Sequence, residues 1–163
     1  MNSSDLKKYE IEVLTAIASD LAPQSFEKVD EKDVKNYFSK TQFDGVFLNG
    51  KNLIIVEIAL GGGVDKLKAG PARKMKTDVL KLISSDLFLK DSSFVVQKRI
   101  LYVRKGIKSK LDTGWLSEII SHSNNKIEIK EYDFGSSEEE IQKIRDSSIY
   151  ERMDDSIYPE SED

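Results

Sequence analysis

Cysteine is absent from the 163 residues, and His122 is the only histidine. Without thiols there is no disulfide framework and no thiolate zinc site, and a single imidazole does not make a histidine zinc site. The chain also lacks an apolar run near the ~20 residues that cross a bilayer, and its first residues show no signal-peptide pattern. We therefore expect an intracellular, cytoplasmic protein with no membrane partner.

Charged residues are abundant, at 33% of the chain against 39% hydrophobic residues, which is typical of one globular domain. The net charge of −4 is unevenly spread, because residues 138–163 contain 10 acidic and 3 basic side chains. Two stretches, 66–81 and 98–110, are rich in lysine and arginine. Such stretches can bind a phosphate backbone, and they are equally typical of a solvated lysine-rich face.

The segment 43–60 contains two apolar runs on either side of Asn49-Gly50, a dipeptide that favours a tight turn. The pattern predicts a β-hairpin. A turn symmetric about this dipeptide would place Leu48 opposite Lys51.

Each run of this hairpin carries one carboxylate, Asp44 in the first and Glu57 in the second. Because side chains alternate along a strand, we expect both acids on one face, as diagonal neighbours roughly 7–8 Å apart. Two converging carboxylates repel each other unless a proton or a cation lies between them, and oxygen ligands suit magnesium or manganese. The alternative is that both acids lie at a solvated sheet edge, where single charges are ordinary.

The remaining elements follow from periodicity and turn residues. Apolar residues at helical spacing predict a first helix over 5–21, with Glu10 near the middle of its apolar face. A first strand is expected around either 26–29 or 34–38. The glycine-rich loop 61–71 lacks a Walker motif. After it we expect a helix from Pro71 whose buried stripe is Met75, Val79, Leu82 and Ile83. A strand at 94–103, a helix near 115–120, an edge strand at 126–132 and a last helix from 136 follow it.

The predicted element order, αβββαβαβ, with strand-borne Asp44 and Glu57 thirteen residues apart across a short turn, resembles the PD-(D/E)XK nuclease superfamily. The resemblance covers roughly residues 5–132. It implies an α/β fold with a restriction-endonuclease-like core, in which helices flank a mixed central sheet. On this basis residues 1–135 form the nuclease-like domain, 136–153 a helical extension and 154–163 an acidic disordered tail.

The resemblance also implies roles for particular residues. Asp44 corresponds to the metal-binding aspartate, although Phe43 stands where a proline is usual. Glu57 is the second metal ligand, the carbonyl of Ile58 completes the coordination, and Glu10 corresponds to the acid often found on the first helix.

The family lysine belongs at position 59, and this chain has Ala59 there. A lysine from elsewhere would have to replace it. Lys40 would face Ala59 if the strand extends that far, and Lys74 and Lys76 begin the next helix. Lys74 is the preferred candidate because it flanks the helix N-terminus facing the end of the sheet.

The implied function is a magnesium- or manganese-dependent endonuclease that hydrolyses DNA phosphodiester bonds. Its catalytic residues would be Asp44, Glu57, Lys74 and Glu10, and its DNA-binding residues would be Lys66, Lys68, Arg73 and Lys76. The alternative is a catalytically decayed module on the same core that binds nucleic acid or a protein. A homodimer is compatible with either function, and the acidic tail could regulate a basic groove.

Overall fold

The computed structural model describes residues 3–62, 69–111, 114–123 and 127–155. Its helices and strands are, in chain order, α1 (Lys7–Leu21), β1 (Glu27–Lys28), β2 (Gly45–Asn49), β3 (Asn52–Ala59), α2 (Ala69–Ile83), β4 (Val95–Arg104), α3 (Gly114–His122), β5 (Ile127–Tyr132) and α4 (Glu138–Asp155). The strands form one mixed sheet with helices on both faces, which confirms the expected α/β class. No helix in the described ranges is both long and apolar enough to cross a membrane.

The sheet has the spatial order β1-β2-β3-β4-β5. The first three strands are antiparallel neighbours, and β4 and β5 are parallel to β3. The register places Glu57, Leu101 and Ile129 side by side on β3, β4 and β5, so these three residues form one row across the sheet. Of the two alternatives for the first strand, 26–29 is the one that contains β1. The segment Glu31–Asn36 is a 3-10 helix.

The hairpin register predicted from the sequence is wrong by two residues. Leu48 faces Leu53, and Asn49 faces Asn52, so the turn consists of Gly50 and Lys51. Gly50 adopts the positive φ of 61° that the tight turn requires. Because the error is two residues and not one, every side chain remains on the predicted face of the sheet.

Two apolar cores lie on opposite faces of the sheet. On one face α2 contributes Met75, Val79 and Leu82, which pack with odd-numbered β3 residues such as Ile55 and Ala59. On the other face α1 and α4 pack against even-numbered β3 residues, and their buried side chains are Tyr9, Val13, Ile17, Leu21, Ile141 and Ile144. Helix α4 therefore contributes to a core, because Ile141 and Ile144 are almost fully buried in it. The predicted tail 154–163 begins inside this helix, and its residues 156–163 lie outside the described ranges.

Arg104 joins α4 to the end of β3. Its side chain is 95% buried, and its guanidinium donates to Glu138 Oε2 (2.9 Å), to Gln142 Oε1 (3.0 Å) and to the carbonyl of Gly62 (2.8 Å). A buried charge is stabilised only when it is paired and hydrogen-bonded in this way. This single side chain thus holds β4, the first turn of α4 and the segment that follows β3 together.

Candidate functional site

The candidate site lies where β2 begins and β3 ends. Helix α1 reaches this place because Gly45 has no side chain: a Cβ there would lie 2.6 Å from Leu14 Cδ2. Glu10 lies one helical turn before Leu14. Its pKa is raised by partial burial and by the negative charge of Asp44, while the nearby charges of Lys7 and Lys74 lower it. Glu10 is thus close enough to Asp44 for the two charges to interact.

Asp44 lies directly before β2 and continues the hydrogen bonding of that strand with its side chain. Its Oδ2 accepts a hydrogen bond from the Ile58 N–H at 2.7 Å. The N–H and C=O of a strand residue project to the same side, so the Ile58 carbonyl lies on the Asp44 side of β3. The three metal ligands expected from the resemblance, Asp44, Glu57 and Ile58, thus come from one hairpin end.

Glu57 is a buried carboxylate in the middle of an apolar sheet, with only 2% of its surface exposed. Burial and the negative charge of Asp44 raise its pKa to about 8, although Lys81 lowers it through a hydrogen bond and its positive charge. Burial disfavours the charged form of any acid. At neutral pH this site consequently favours uptake of a positive charge, either a proton or a cation.

Lys81 donates a hydrogen bond to this carboxylate. Its Nζ donates to Glu57 Oε1 at 2.8 Å and to the carbonyl of Gln42 at 2.7 Å, and it lies 5.5 Å from the ring centroid of Phe43. The ring and the carbonyl fix the ammonium group on the carboxylate. The sequence pattern did not single out Lys81, which does not belong to the buried stripe predicted for α2.

The same face of α2 carries a second ion pair. Lys74 Nζ lies 2.8 Å from Asp78 Oδ2, and the Asp78 side chain is 94% buried. Burial raises the pKa of Asp78, and the charge of Asp44 adds to this effect. Burial opposes the charge on Lys74, but Asp78, Asp44 and Glu57 together raise its pKa. The structure therefore places Lys74 near the acid pair, with Asp78 as its hydrogen-bonded partner.

The cluster as a whole contains four carboxylates and two ammonium groups: Glu10, Asp44, Glu57, Asp78, Lys74 and Lys81. Full ionisation would leave an excess of two negative charges, which one divalent cation would neutralise. In the described ranges no group of three or more His, Asp or Glu side chains could hold a metal ion by itself. Magnesium is commonly held by one or two carboxylates, with water and phosphate oxygens as its other ligands. Asp44 and Glu57 are the carboxylates that would hold it here.

No family model matches the sequence, no curated protein matches it, and no solved structure matches the fold. Function must consequently be argued from the residues of the site.

Position 59 and the other lysine candidates have clear places in the structure. Ala59 is 1% exposed and packs into the α2-side core. Lys40 lies in a bend with φ at 61° and is exposed, outside the strand that was expected to carry it opposite Ala59. That placement was wrong because β2 begins only at Gly45.

The residues expected to bind DNA are only partly described. Lys66 and Lys68 lie outside the described ranges, whereas Arg73 and Lys76 lie on α2, exposed and half-exposed. The basic stretch 98–110 is not one surface, because Arg99 and Arg104 are buried. Arg99 makes a two-pronged contact of 2.9 Å with Asp86. These two arginines serve the fold and are not available to a phosphate backbone.

A signal in the sequence could have found Asp78 and Lys81, which the prediction missed. Lys74, Asp78 and Lys81 follow one another at i, i+4 and i+7, which places them on one helix face. The apolar stripe at Met75, Val79 and Leu82 lies beside that face. Charged residues that run parallel to a buried stripe, on a helix following an acid-bearing strand, are therefore candidates for the same site.

Proposed function

We propose that this protein is a divalent-metal-dependent phosphodiesterase whose site is built on Asp44 and Glu57, with DNA as the substrate implied by the resemblance to PD-(D/E)XK nucleases. The observation that supports it best is the buried Glu57 beside Asp44, in a cluster whose full ionisation would leave an excess of negative charge. Such strongly perturbed carboxylates are more frequent at functional sites than elsewhere.

Asp44, Glu57 and the Ile58 carbonyl would hold the cation. A divalent ion bound there would lower the pKa of a water molecule and neutralise charge on a phosphate ester. The protein's own contribution is positional. The Ile58 N–H fixes the Asp44 carboxylate, and the apolar sheet around Glu57 excludes water from its back.

Lys81 and Lys74 would supply the positive charge that PD-(D/E)XK nucleases obtain from a lysine at the position corresponding to Ala59. Lys81 is already within 2.8 Å of Glu57, and a fixed ammonium group beside the acids stabilises negative charge that develops on a phosphate. Lys74 would do the same from about two turns earlier on α2. Glu10, near Asp44, would help to orient water or the cation.

The test is cleavage of supercoiled and linear DNA with magnesium or manganese. We expect cleavage by the wild type, loss in Asp44→Asn, and unchanged cleavage in Asp20→Asn, which alters an exposed acid on α1. Equal activity of the wild type and Asp44→Asn would contradict the assignment.

A second function, a binding module without catalysis, is favoured by the Glu57–Lys81 contact. An acid that already has an ammonium partner at 2.8 Å does not require a metal ion. Ala59 in place of the family lysine points the same way. Calorimetric titration with manganese separates the two functions, since a decayed site would show no binding that depends on Asp44.

A further inference from the structure

The two edges of the sheet differ in a way that the proposed site does not explain. Edge strand β1 has only two residues, Glu27 and Lys28. Edge strand β5 has six, pairs with β4 over its whole length, and has no described strand on its other side. A short edge strand discourages further pairing, whereas a long one leaves a row of N–H and C=O groups open. The β5 edge is therefore the one able to accept another strand.

The sequence of β5 is self-complementary when two copies run antiparallel. Glu128 and Lys130 lie on the same face, on either side of Ile129. Their charged groups approach within 3.8 Å, and both side chains are nearly half exposed, at 42% and 46%. Reversing the strand about Ile129 exchanges the positions of the acid and the base.

We propose that β5 pairs antiparallel with β5 of a second copy of this chain, on a twofold axis at Ile129. In this register Glu128 lies opposite the partner subunit's Lys130, and Lys130 lies opposite the partner subunit's Glu128. Opposite charges directly across two strands attract, and like charges there destabilise the pairing. Because the contact is twofold symmetric, the Glu128–Lys130 pair occurs twice in it.

Apolar contacts add to this pairing on the opposite face of β5. Ile129 is only partly buried within its own chain. It borders an open cavity of about 490 Å³ whose apolar lining comes from Leu111, Ile120, Ile127 and Ile129. The partner subunit's Ile129 would meet Ile129 at the axis and cover the edge of this cavity, which removes apolar surface from water.

The row Glu57–Leu101–Ile129 sets the geometry of the pair. A twofold axis at Ile129 would continue this row through the partner subunit, giving one ten-stranded sheet. The two Glu57 backbones would then lie five strand spacings apart, about 24 Å. Both would lie on the same face of that sheet. This arrangement does not depend on the activity proposed above.

The experiment is charge reversal on β5, measured by sedimentation velocity over a range of concentrations. Glu128→Lys puts lysine opposite lysine, and Lys130→Glu puts glutamate opposite glutamate. We expect each variant alone to dimerise at least about tenfold more weakly than the wild type. An equimolar mixture of the two should restore dimers, because each mixed pair has opposite charges, and so should the double variant Glu128→Lys/Lys130→Glu.

The matched control is the exposed pair Glu139 and Lys143 on α4, whose charged groups lie 3.7 Å apart. Glu139→Lys and Lys143→Glu should leave the wild-type dimer unchanged. If a reversed variant loses its folded circular-dichroism spectrum, Glu128→Gln and Lys130→Gln replace it and should show a smaller loss in the same direction. A wild type that is monomeric throughout, dimers insensitive to the β5 reversals, or a mixture that stays monomeric would each overturn the proposal.

Discussion

Lys81 Nζ lies 2.8 Å from Glu57 Oε1, so a half-exposed lysine on α2 is bonded to a carboxylate buried in the middle of the sheet. The contact ties the helix that follows the hairpin to the hairpin itself. Because Lys81 lowers the pKa of Glu57 while burial and Asp44 raise it, the protonation state of the site depends on this lysine.

Replacement of Lys81 should raise the pKa of Glu57 further. In Lys81→Met the hydrogen bond and the positive charge are both lost, so the pKa should move above its value of about 8. Titration of the Glu57 side-chain carboxyl carbon by NMR measures it directly. Lys143→Met, an exposed change on α4, is the control and should leave the Glu57 titration unchanged. An unaltered pKa in Lys81→Met would show that the contact is not maintained in solution.

The same substitution should impair catalysis if the proposed activity holds. Loss of a fixed positive donor costs on the order of 10²-fold in rate in comparable sites, and we expect such a fall in DNA cleavage for Lys81→Met. Lys74→Met should show a smaller fall, because its direct partner is Asp78. Lys81→Arg, which keeps the charge, should retain part of the activity. A larger fall in DNA cleavage for Lys74→Met than for Lys81→Met would show that Lys74 is the principal lysine.

Stability should fall as pH rises because of Glu57. Its pKa is about 8 in the folded protein against an ordinary 4.5, so between these values the folded state binds more protons than the unfolded state. The free energy of unfolding should therefore decrease with pH across this window, with a limiting slope of about 1.4 kcal/mol per pH unit from this group. Urea unfolding at several pH values measures it.

Glu57→Gln should flatten that dependence. A residual slope of the same sign should remain, because the pKa values of Glu10 and Asp78 are also raised. Glu118→Gln, an exposed change on α3, should preserve the wild-type profile. If the free energy of unfolding depends on pH as steeply in Glu57→Gln as in the wild type, the Glu57 carboxyl is not the cause of that dependence.

Manganese should stabilise the wild type and not Asp44→Asn. A ligand that binds only the folded state adds about 2.7 kcal/mol to the free energy of unfolding at a hundred times its dissociation constant. We expect a rise in Tm with manganese for the wild type and for the exposed-acid control Asp20→Asn. Asp44→Asn should show no rise. Equal shifts in all three proteins would place the metal elsewhere.

Arg73 and Lys76 should contribute to the salt dependence of DNA binding. Each phosphate contact contributes about 0.9 to the slope of log affinity against log salt. The double variant Arg73→Gln/Lys76→Gln should therefore lower the slope by up to about 2 and weaken binding at all sequences alike. Lys143→Gln, on α4, should leave the slope unchanged. The measurement is fluorescence anisotropy at several salt concentrations.

Local patterns predicted the elements well where apolar periodicity was strong. The first helix was expected over 5–21 and is Lys7–Leu21, and the edge strand expected at 126–132 is Ile127–Tyr132. The hairpin was located correctly, but its register depended on the assumption that Asn49-Gly50 is the turn. Pairing of Asn49 with Asn52 instead moves the turn by one position.

The candidate site could be predicted only in part, because Lys81 and Asp78 reach it through tertiary packing. Asp44 and Glu57 were singled out because period-2 alternation predicts a common face for them. Lys81 and Asp78 were missed because a stripe of apolar residues predicts which face of α2 is buried. It does not predict how deeply the charged side chains beside that stripe are buried. Similarly, composition alone does not show that Arg99 and Arg104 point inward from β4.

Arg104 determines how short a fragment of this chain can be. Removing everything from Glu138 onward would strip the guanidinium of its carboxylate and amide partners and would uncover the apolar surface under Ile141 and Ile144. A domain boundary at residue 135 would therefore separate α4 from the folded unit to which it belongs. Fragments intended for expression need to extend beyond Ile144.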